Sequence, residues 1–277
     1  MTSSNSPDFD SRRFKRIERD GYNLIAQRYA DAAGLRAALT EALLDAANLS
    51  AGQALLDLAS GPGVLAQPAL ARVAPEGWVV ASDLAEKILA VGRAACDRIL
   101  YTAADAEVLP FRSAAFDRVL CGLGLMFFTD EQRALAEMNR VLRPGGRIAL
   151  SVWGAAEQVP LIECALSCMR RLLPAPKVAR PSVFRLGSVL PGLLAASGFG
   201  GIRIESCELV CRFACAGDYW QAFLDLAGGA AGSLARLPAE TQAGLAGEVA
   251  RELAPYREGQ GFRLASTVLI ATAAKGG

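Results

Sequence analysis

The sequence predicts an α/β fold: a mostly parallel sheet with helices on both faces. Three observations lead there. Between residues 53 and 153, short apolar runs alternate with segments of helical period. Those runs are apolar on both sides, as strands buried in a parallel sheet are. The first run ends in Asp57, with Gly61 and Gly63 close behind, a loop that can bring backbone against a ligand with no Cβ in the way.

The elements follow in order. Residues up to about Arg16 read as a polar leader. "FKRIERDGYNLIAQRYADA" then repeats Tyr22, Ile25, Ala26 and Tyr29 at helical spacing, which places them on one face. "LRAALTEALLDAANL" is a second amphipathic helix, with Gly52 as its stop signal. Strand "QALLDLA" leads to helix "GVLAQPALARV", where Pro68 kinks or delays the start. Strand "GWVVASD" leads to helix "LAEKILAVGRAAC". "RILYTAAD" and "AFDRVLCGLGL" are strands three and four, and helix "EQRALAEMNRVL" closes in the turn "RPGG" before strand "RIALSVW". After Trp153 come helix "LIECALSCMRRLL", a proline-rich break, the short helix "GSVLPGLLAASGF" and the alternating strand "IRIESCELVCRF". An Ala-rich helical insertion from Asp218 to Tyr256 precedes a last strand, "FRLASTVLIATAA". The reading is a seven-stranded sheet domain over 51–277, with a helical cap over 1–50 and substrate-side helical insertions at 155–182 and 217–258.

Composition narrows the chemistry. With 52% hydrophobic residues the chain can bury a large core, and a net charge of +1 leaves no surplus for nucleic acid. Met1 to Asp10 lack the apolar stretch of a signal peptide, and no apolar run approaches the ~18–20 residues of a membrane span. Seven cysteines without a secretory signal point to free thiols in a cytoplasmic setting. The chain has no histidine, which excludes Ser-His-Asp and Cys-His hydrolases, most zinc enzymes and any imidazole base.

In an open parallel sheet a ligand sits beyond the carboxyl ends of the strands. Asp83 ends the second strand 20 residues after Gly63, the separation of a ribose-binding acid. Asp105 ends the third, where a carboxylate can accept from an adenine amino group. Gly61, Gly63 and Ala66 formally meet the dinucleotide pattern, and "GPGVLAQ" lacks the Lys-Ser/Thr of a phosphate-binding loop. Pro62 offers no N–H to a diphosphate, and Asp57 would repel one. A positive or zwitterionic ligand fits better, and S-adenosylmethionine is one. Plainer roles stay open: Asp57 or Asp83 as helix caps, and Tyr22 and Tyr29 as core contacts.

In "LLDLASGPGVLA", "VVASDLAEKILAVGR", "YTAADAEVLPFRSAAFDRVLCGLGLMFF" and "MNRVLRPGGRIALSVW" the chain resembles class I S-adenosylmethionine-dependent methyltransferases. The closest branch is the small-molecule one that includes the ubiquinone/menaquinone C-methyltransferases. The resemblance implies a Rossmann-like, doubly wound sheet, S-adenosylmethionine as cofactor and S-adenosylhomocysteine as product. It implies that Ala59, Ser60, Gly61 and Gly63 surround the methionine part; Ala59 is a departure, since many members have Gly there, and an Ala is tolerable if φ stays negative. Asp57 then orders that loop or meets the ammonium through water, Asp83 holds the ribose and Leu84 packs on adenine. Asp105 and the Ala106 backbone read the adenine, and the Cys121 carbonyl faces the amino group. Tyr22 and Tyr29 form a cap-helix pair closing over the cofactor.

The acceptor is expected to be a small apolar or aromatic molecule, methylated at C, O, N or S by in-line displacement. Phe127, Trp153 and Tyr219, with Phe128 and Trp220, are candidate walls of its pocket. No catalytic residue and no metal is assigned, and the oligomeric state is open, a homodimer included. Two rival readings are a NAD(P)-dependent oxidoreductase and a non-catalytic cofactor-binding relative. Cys207, Cys211 and Cys215 recur every four residues, and Cys164 and Cys168 repeat that spacing. Without a C-x-x-C pattern they read as small buried hydrophobes.

Overall fold

The structure is a computed structural model that describes residues 9–176, 178 and 181–276. Helix α1 (Ser11–Leu24) starts inside the expected leader, because Asp10 caps it by accepting from the Arg13 amide at 2.9 Å. Residues 1–8 of that leader lie outside the described set. The first expected helix is in fact two, for Ile25 leaves helical geometry and α2 (Ala26–Asp31) follows. A 3₁₀ turn (Ala32–Arg36) leads into α3 (Ala37–Ala47). That helix closes not at Gly52 but at Asn48, which takes the left-handed conformation at φ 48°.

The strands and helices then alternate as expected: β1 (Ala54–Leu58), α4 (Ala66–Val73), β2 (Trp78–Asp83), α5 (Glu86–Ala95), β3 (Leu100–Ala103) and β4 (Phe116–Gly122). Pro68 falls in the first turn of α4, where no backbone N–H is needed, so it starts the helix instead of kinking it. Next come α6 (Glu131–Val141) and β5 (Leu142–Trp153). The expected turn "RPGG" is a bulge inside β5, between the Phe116↔Leu142 and Arg118↔Arg147 pairs, with Gly145 at φ 74°. The remaining elements are α7 (Pro160–Leu172), α8 (Leu190–Ala196), β6 (Phe199–Phe213), α9 (Ala216–Leu226), α10 (Gly228–Leu234), α11 (Ala239–Glu252), the two-residue β7 (Arg257–Glu258) and β8 (Gly261–Lys275).

The sheet order is β3-β2-β1-β4-β5-β8-β6, with β7 paired to β8 as an eighth, minor strand. β1 to β5 are mutually parallel, and β8 enters antiparallel between β5 and β6. Every residue of β1 is buried, and Leu55 and Leu56 have no exposed surface. Each such side chain contributes ~1.5–3 kcal/mol on burial. α3 covers β4, β5, β6 and β8, while α4 and α5 pack on β2, and α6, α7 and α8 on β5, β8 and β6 in turn. The chain steps from β1 to β2 in one direction and crosses to β4 in the other, so the crevice of the reversal opens beside Leu58 and Gly122. No helix among the described residues is long and apolar enough to cross a membrane.

Candidate functional site

The loop between β1 and α4 is held by three backbone donors. Ser60 N–H donates to Ser82 O (3.1 Å), Gly61 N–H to Asp83 Oδ2 (2.9 Å) and Gly63 N–H to Ser60 O (3.0 Å). Gly61 and Gly63 stand at φ 56° and 87°, and a Cβ on Gly61 would come to 3.3 Å from the Tyr29 ring. Ala59 departs from the expected negative φ: it sits at φ 55°, the left-handed region. That conformation costs an L-residue ~1–2 kcal/mol. Its Cβ lies where only a glycine fits opposite, since a Cβ on Gly124 would fall 2.5 Å away.

Beyond the strand ends lies a cleft of about 780 Å³. Asp83 forms its floor. Its Oδ1 accepts from Ala85 N–H at 2.9 Å and its Oδ2 from Gly61, so one lone pair on each oxygen remains for the cleft. Burial raises its pKa. Leu84 and Ala106 line the walls, as do Phe127 and Phe128. The roof is aromatic: Tyr22 meets Tyr29 edge-on at 5.5 Å and Phe127 at 5.8 Å. Burial pushes the Tyr22 phenol well up, so it stays protonated and can donate a hydrogen bond but cannot serve as a base.

Asp105 also lines the cleft, and it too already accepts one hydrogen bond on each oxygen. Oδ1 accepts from Glu107 N–H at 3.0 Å and Oδ2 from Lys15 Nζ at 2.7 Å. Lys15 also pairs with Glu107 at 2.6 Å, and Glu107 accepts from Thr129 N–H, Thr129 Oγ1–H and Asp130 N–H. Sequence reasoning missed Lys15 and Glu107. Their signal was the acidic pair two residues apart, facing a basic cap helix.

A second space, about 440 Å³, adjoins the first, and Tyr29, Ala59, Gly122 and Leu123 line both. Asp57 lies at its base with no exposed surface, and neither carboxylate oxygen has a hydrogen-bond partner. Burial first, then the charge of Asp83, raises its pKa well above the usual carboxylate range. Arg36 lines the same space. Its guanidinium sits 4.1 Å over the Tyr29 ring and donates to the Tyr29 hydroxyl, while its buried Nε–H has no acceptor. Arg36 was also missed: it follows Tyr29 by seven residues, two helical turns, but the intervening 3₁₀ turn hides the periodicity.

Other expected residues lie elsewhere. Cys121 is wholly buried, and its neighbours Gly122, Leu123 and Gly124 line the cleft, so the exposed backbone begins one residue later than expected. Trp153 is 7% exposed and Tyr219 0%, and neither lines the spaces above. The Tyr219 hydroxyl donates to Leu161 O (3.0 Å) and accepts from Ala165 N–H (3.2 Å), which makes it a core group with nothing left for a ligand. Trp220 stacks on Phe223 at 5.7 Å. All seven cysteines are free, and Cys211 points its thiol at Leu35 O. Among the described residues no group of three or more metal-ligating side chains comes together.

Comparison with known proteins agrees with this geometry. Residues 56–150 match the family described as a methyltransferase domain. The chain is 41% identical over 111 residues to the ubiquinone/menaquinone biosynthesis C-methyltransferase UbiE of Hahella chejuensis, covering 38% of this chain and 45% of that protein. The chain thus spans about half the length of the curated relatives it matches. The YcgJ protein of Bacillus subtilis superposes with a TM-score of 0.60 at 17% identity, over 86% of this chain and 98% of its own. Phosphoethanolamine N-methyltransferase 2 of Haemonchus contortus, solved with S-adenosylhomocysteine, gives 0.55 at 18% identity, over 86% and 52%. None of these supports the oxidoreductase reading. Residues 56–150 thus match a methyltransferase domain, and the chain shares the fold of class I S-adenosylmethionine-dependent methyltransferases.

Proposed function

We propose that the protein transfers a methyl group from S-adenosylmethionine to a small apolar or aromatic acceptor. The observation that carries this reading is a pair of buried polar groups without partners: both oxygens of the Asp57 carboxyl and the Nε–H of Arg36, whose other nitrogens bond Tyr29. A buried donor or acceptor left unsatisfied costs ~1–3 kcal/mol. Asp57 and Arg36 present that pair in one space, and Asp83 presents free lone pairs in the adjoining one. A ligand with an ammonium, a carboxylate and a ribose diol satisfies all three; a diphosphate would set its charge against two carboxylates.

In this reading Asp57 takes the ammonium, directly or through water, and Arg36 the carboxylate. Asp83 accepts from the ribose hydroxyls, and Leu84, Ala106 and Phe127 pack on the adenine. Asp105 acts on the adenine end through its ion pair with Lys15. Ser60, Gly61 and Gly63 shape the loop along the methionine chain, and the Gly122–Gly124 backbone takes the part expected of Cys121. When bound, the cofactor supplies a methyl group already activated on a sulfonium. The protein's own work is alignment and exclusion of water. Tyr22 and Tyr29 cover the cleft, and Tyr22 keeps its proton. Helices within 155–182 and 217–258 remain the proposed acceptor side, residues 177, 179 and 180 lying outside the described set. The free cysteines favour a reducing, cytoplasmic setting.

Calorimetric titration tests the reading. S-adenosylhomocysteine should bind, and Arg36→Met should weaken it by about 1.5–3 kcal/mol, the worth of a charge-assisted hydrogen bond. Binding of NAD(H) in place of S-adenosylhomocysteine would overturn it.

A further inference from the structure

Helix α1 roofs the cleft, yet it packs chiefly on α10 and only lightly on the sheet domain's α5. The contact is backbone against backbone. A Cβ on Gly21 would stand 2.3 Å from Gly228 O, and one on Gly228 would stand 2.8 Å from Tyr22 N. A Cβ on Gly229 would stand 2.3 Å from Glu18 Oε1, and Glu18 is itself buried. Each glycine in a helix gives up roughly 0.5–1 kcal/mol against alanine. The stretch "GGAAG" of α10 therefore sacrifices helix stability for closeness to α1.

The other end of α1 is held differently. Lys15 bridges Asp105 and Glu107 at 2.7 and 2.6 Å. Between the two anchors, Lys15, Glu18, Arg19 and Tyr22 all face the cleft. On its far side α10 leaves helical geometry at Ala227 (φ −105°, ψ 72°), the joint with α9. α9 in turn pairs Asp225 with Arg28 of α2 at 3.2 Å.

We propose that α1 and α10 form a single lid, with Glu18, Gly228 and Gly229 as positioning residues that hold Tyr22 over the cofactor. Opening requires Lys15 to leave its two carboxylates and Asn23 Oδ1 to give up the Lys87 N–H it accepts at 2.8 Å, and α1 then carries α10 with it. The Ala-rich insertion thereby governs cofactor residence. This rests on the cofactor reading above.

Hydrogen–deuterium exchange on the full chain, with and without S-adenosylhomocysteine, tests it. Segments 11–24 and 228–234 should gain protection together, at the same ligand concentration. Gly229→Ala should speed ligand dissociation at least ten-fold. Lys15→Met should speed it too, and Lys15→Arg should restore the slow rate, which a merely structural role would not produce. Protection of 11–24 with 228–234 unchanged overturns the lid alone, and so does unaltered dissociation from folded Gly229→Ala. No binding to the wild-type chain overturns the cofactor reading as well. If Gly229→Ala fails to fold, the exchange pattern of the wild-type chain decides.

Discussion

Asp57 and Tyr219 are both wholly buried polar side chains, one under the strand ends and one among the helices after Trp153. Tyr219 has a donor and an acceptor within 3.2 Å, whereas Asp57 has neither. The contrast extends to the two regions. Among the described residues, the buried side-chain polar atoms without partners are Arg36 Nε, both Asp57 oxygens, Ser82 Oγ, Tyr101 Oη and Glu163 Oε2. All but the last lie in the cap or in β1–β3. Burial alone separates nothing. Burial without hydrogen bonds is concentrated in the region proposed to hold the cofactor, and a fold retains such groups only where something offsets their desolvation.

The comparison can be broken most sharply at Asp83. Asp83→Ala removes the ribose acceptor and also releases Gly61 and Ala85, so S-adenosylhomocysteine affinity should fall by about 3 kcal/mol, near a hundred-fold, by calorimetry. An unchanged affinity would remove Asp83 from the site. Asp57→Asn should separate binding from stability. Affinity should drop by about 2 kcal/mol, while the ligand-free melting temperature at neutral pH rises because the fold no longer has to keep protonated a carboxyl that the unfolded chain ionises.

Titration sharpens the same point. Asp57 and Asp83 have raised pKa values, so the folded chain holds protons that the unfolded chain has released. Ligand-free stability should therefore decline as pH climbs from about 4 through the raised values. S-adenosylhomocysteine affinity should increase over the same window, since only the ionised carboxylate pairs with an ammonium. Parallel denaturation and binding curves across pH would expose any other sign.

On the other side, Tyr219→Phe should cost roughly 1–2 kcal/mol of stability in urea melts and leave ligand affinity untouched. A loss of affinity would return Tyr219 to the site. The smallest effect is expected at Ala59. Glycine there trades left-handed strain of ~1–2 kcal/mol for its own entropy of ~0.5–1 kcal/mol, a net gain of about 0.5–1 kcal/mol by the same melts.

The sheet was legible because its strands are buried on both faces and punctuated by Asp and Gly at their carboxyl ends; β1 and β2 carry that signature without ambiguity. The break at Ile25 was not, because a change of axis leaves the helical period intact on either side. That Asp57, Asp83 and the glycine loop meet at the strand ends could be read from type and spacing. Arg36 and Lys15 could not: each acts through a partner distant in sequence or across a 3₁₀ turn, and neither position has a local pattern. Trp153 and Tyr219 misled for the converse reason. A large aromatic looks the same in sequence whether it walls a pocket or fills a core, and only the backbone partners of the Tyr219 hydroxyl tell which.

The place of β8 has a bearing on how the chain assembles. Among the described residues β6 has no other sheet neighbour, and β8 is made only after three further helices and the short β7. During synthesis β6 and the outer edge of β5 therefore wait as open borders, the state in which chains most readily pair with the wrong neighbour. β8 is the strand that zips the two halves together, so deleting it should leave β5 and β6 unjoined within the sheet instead of giving a slightly shorter protein.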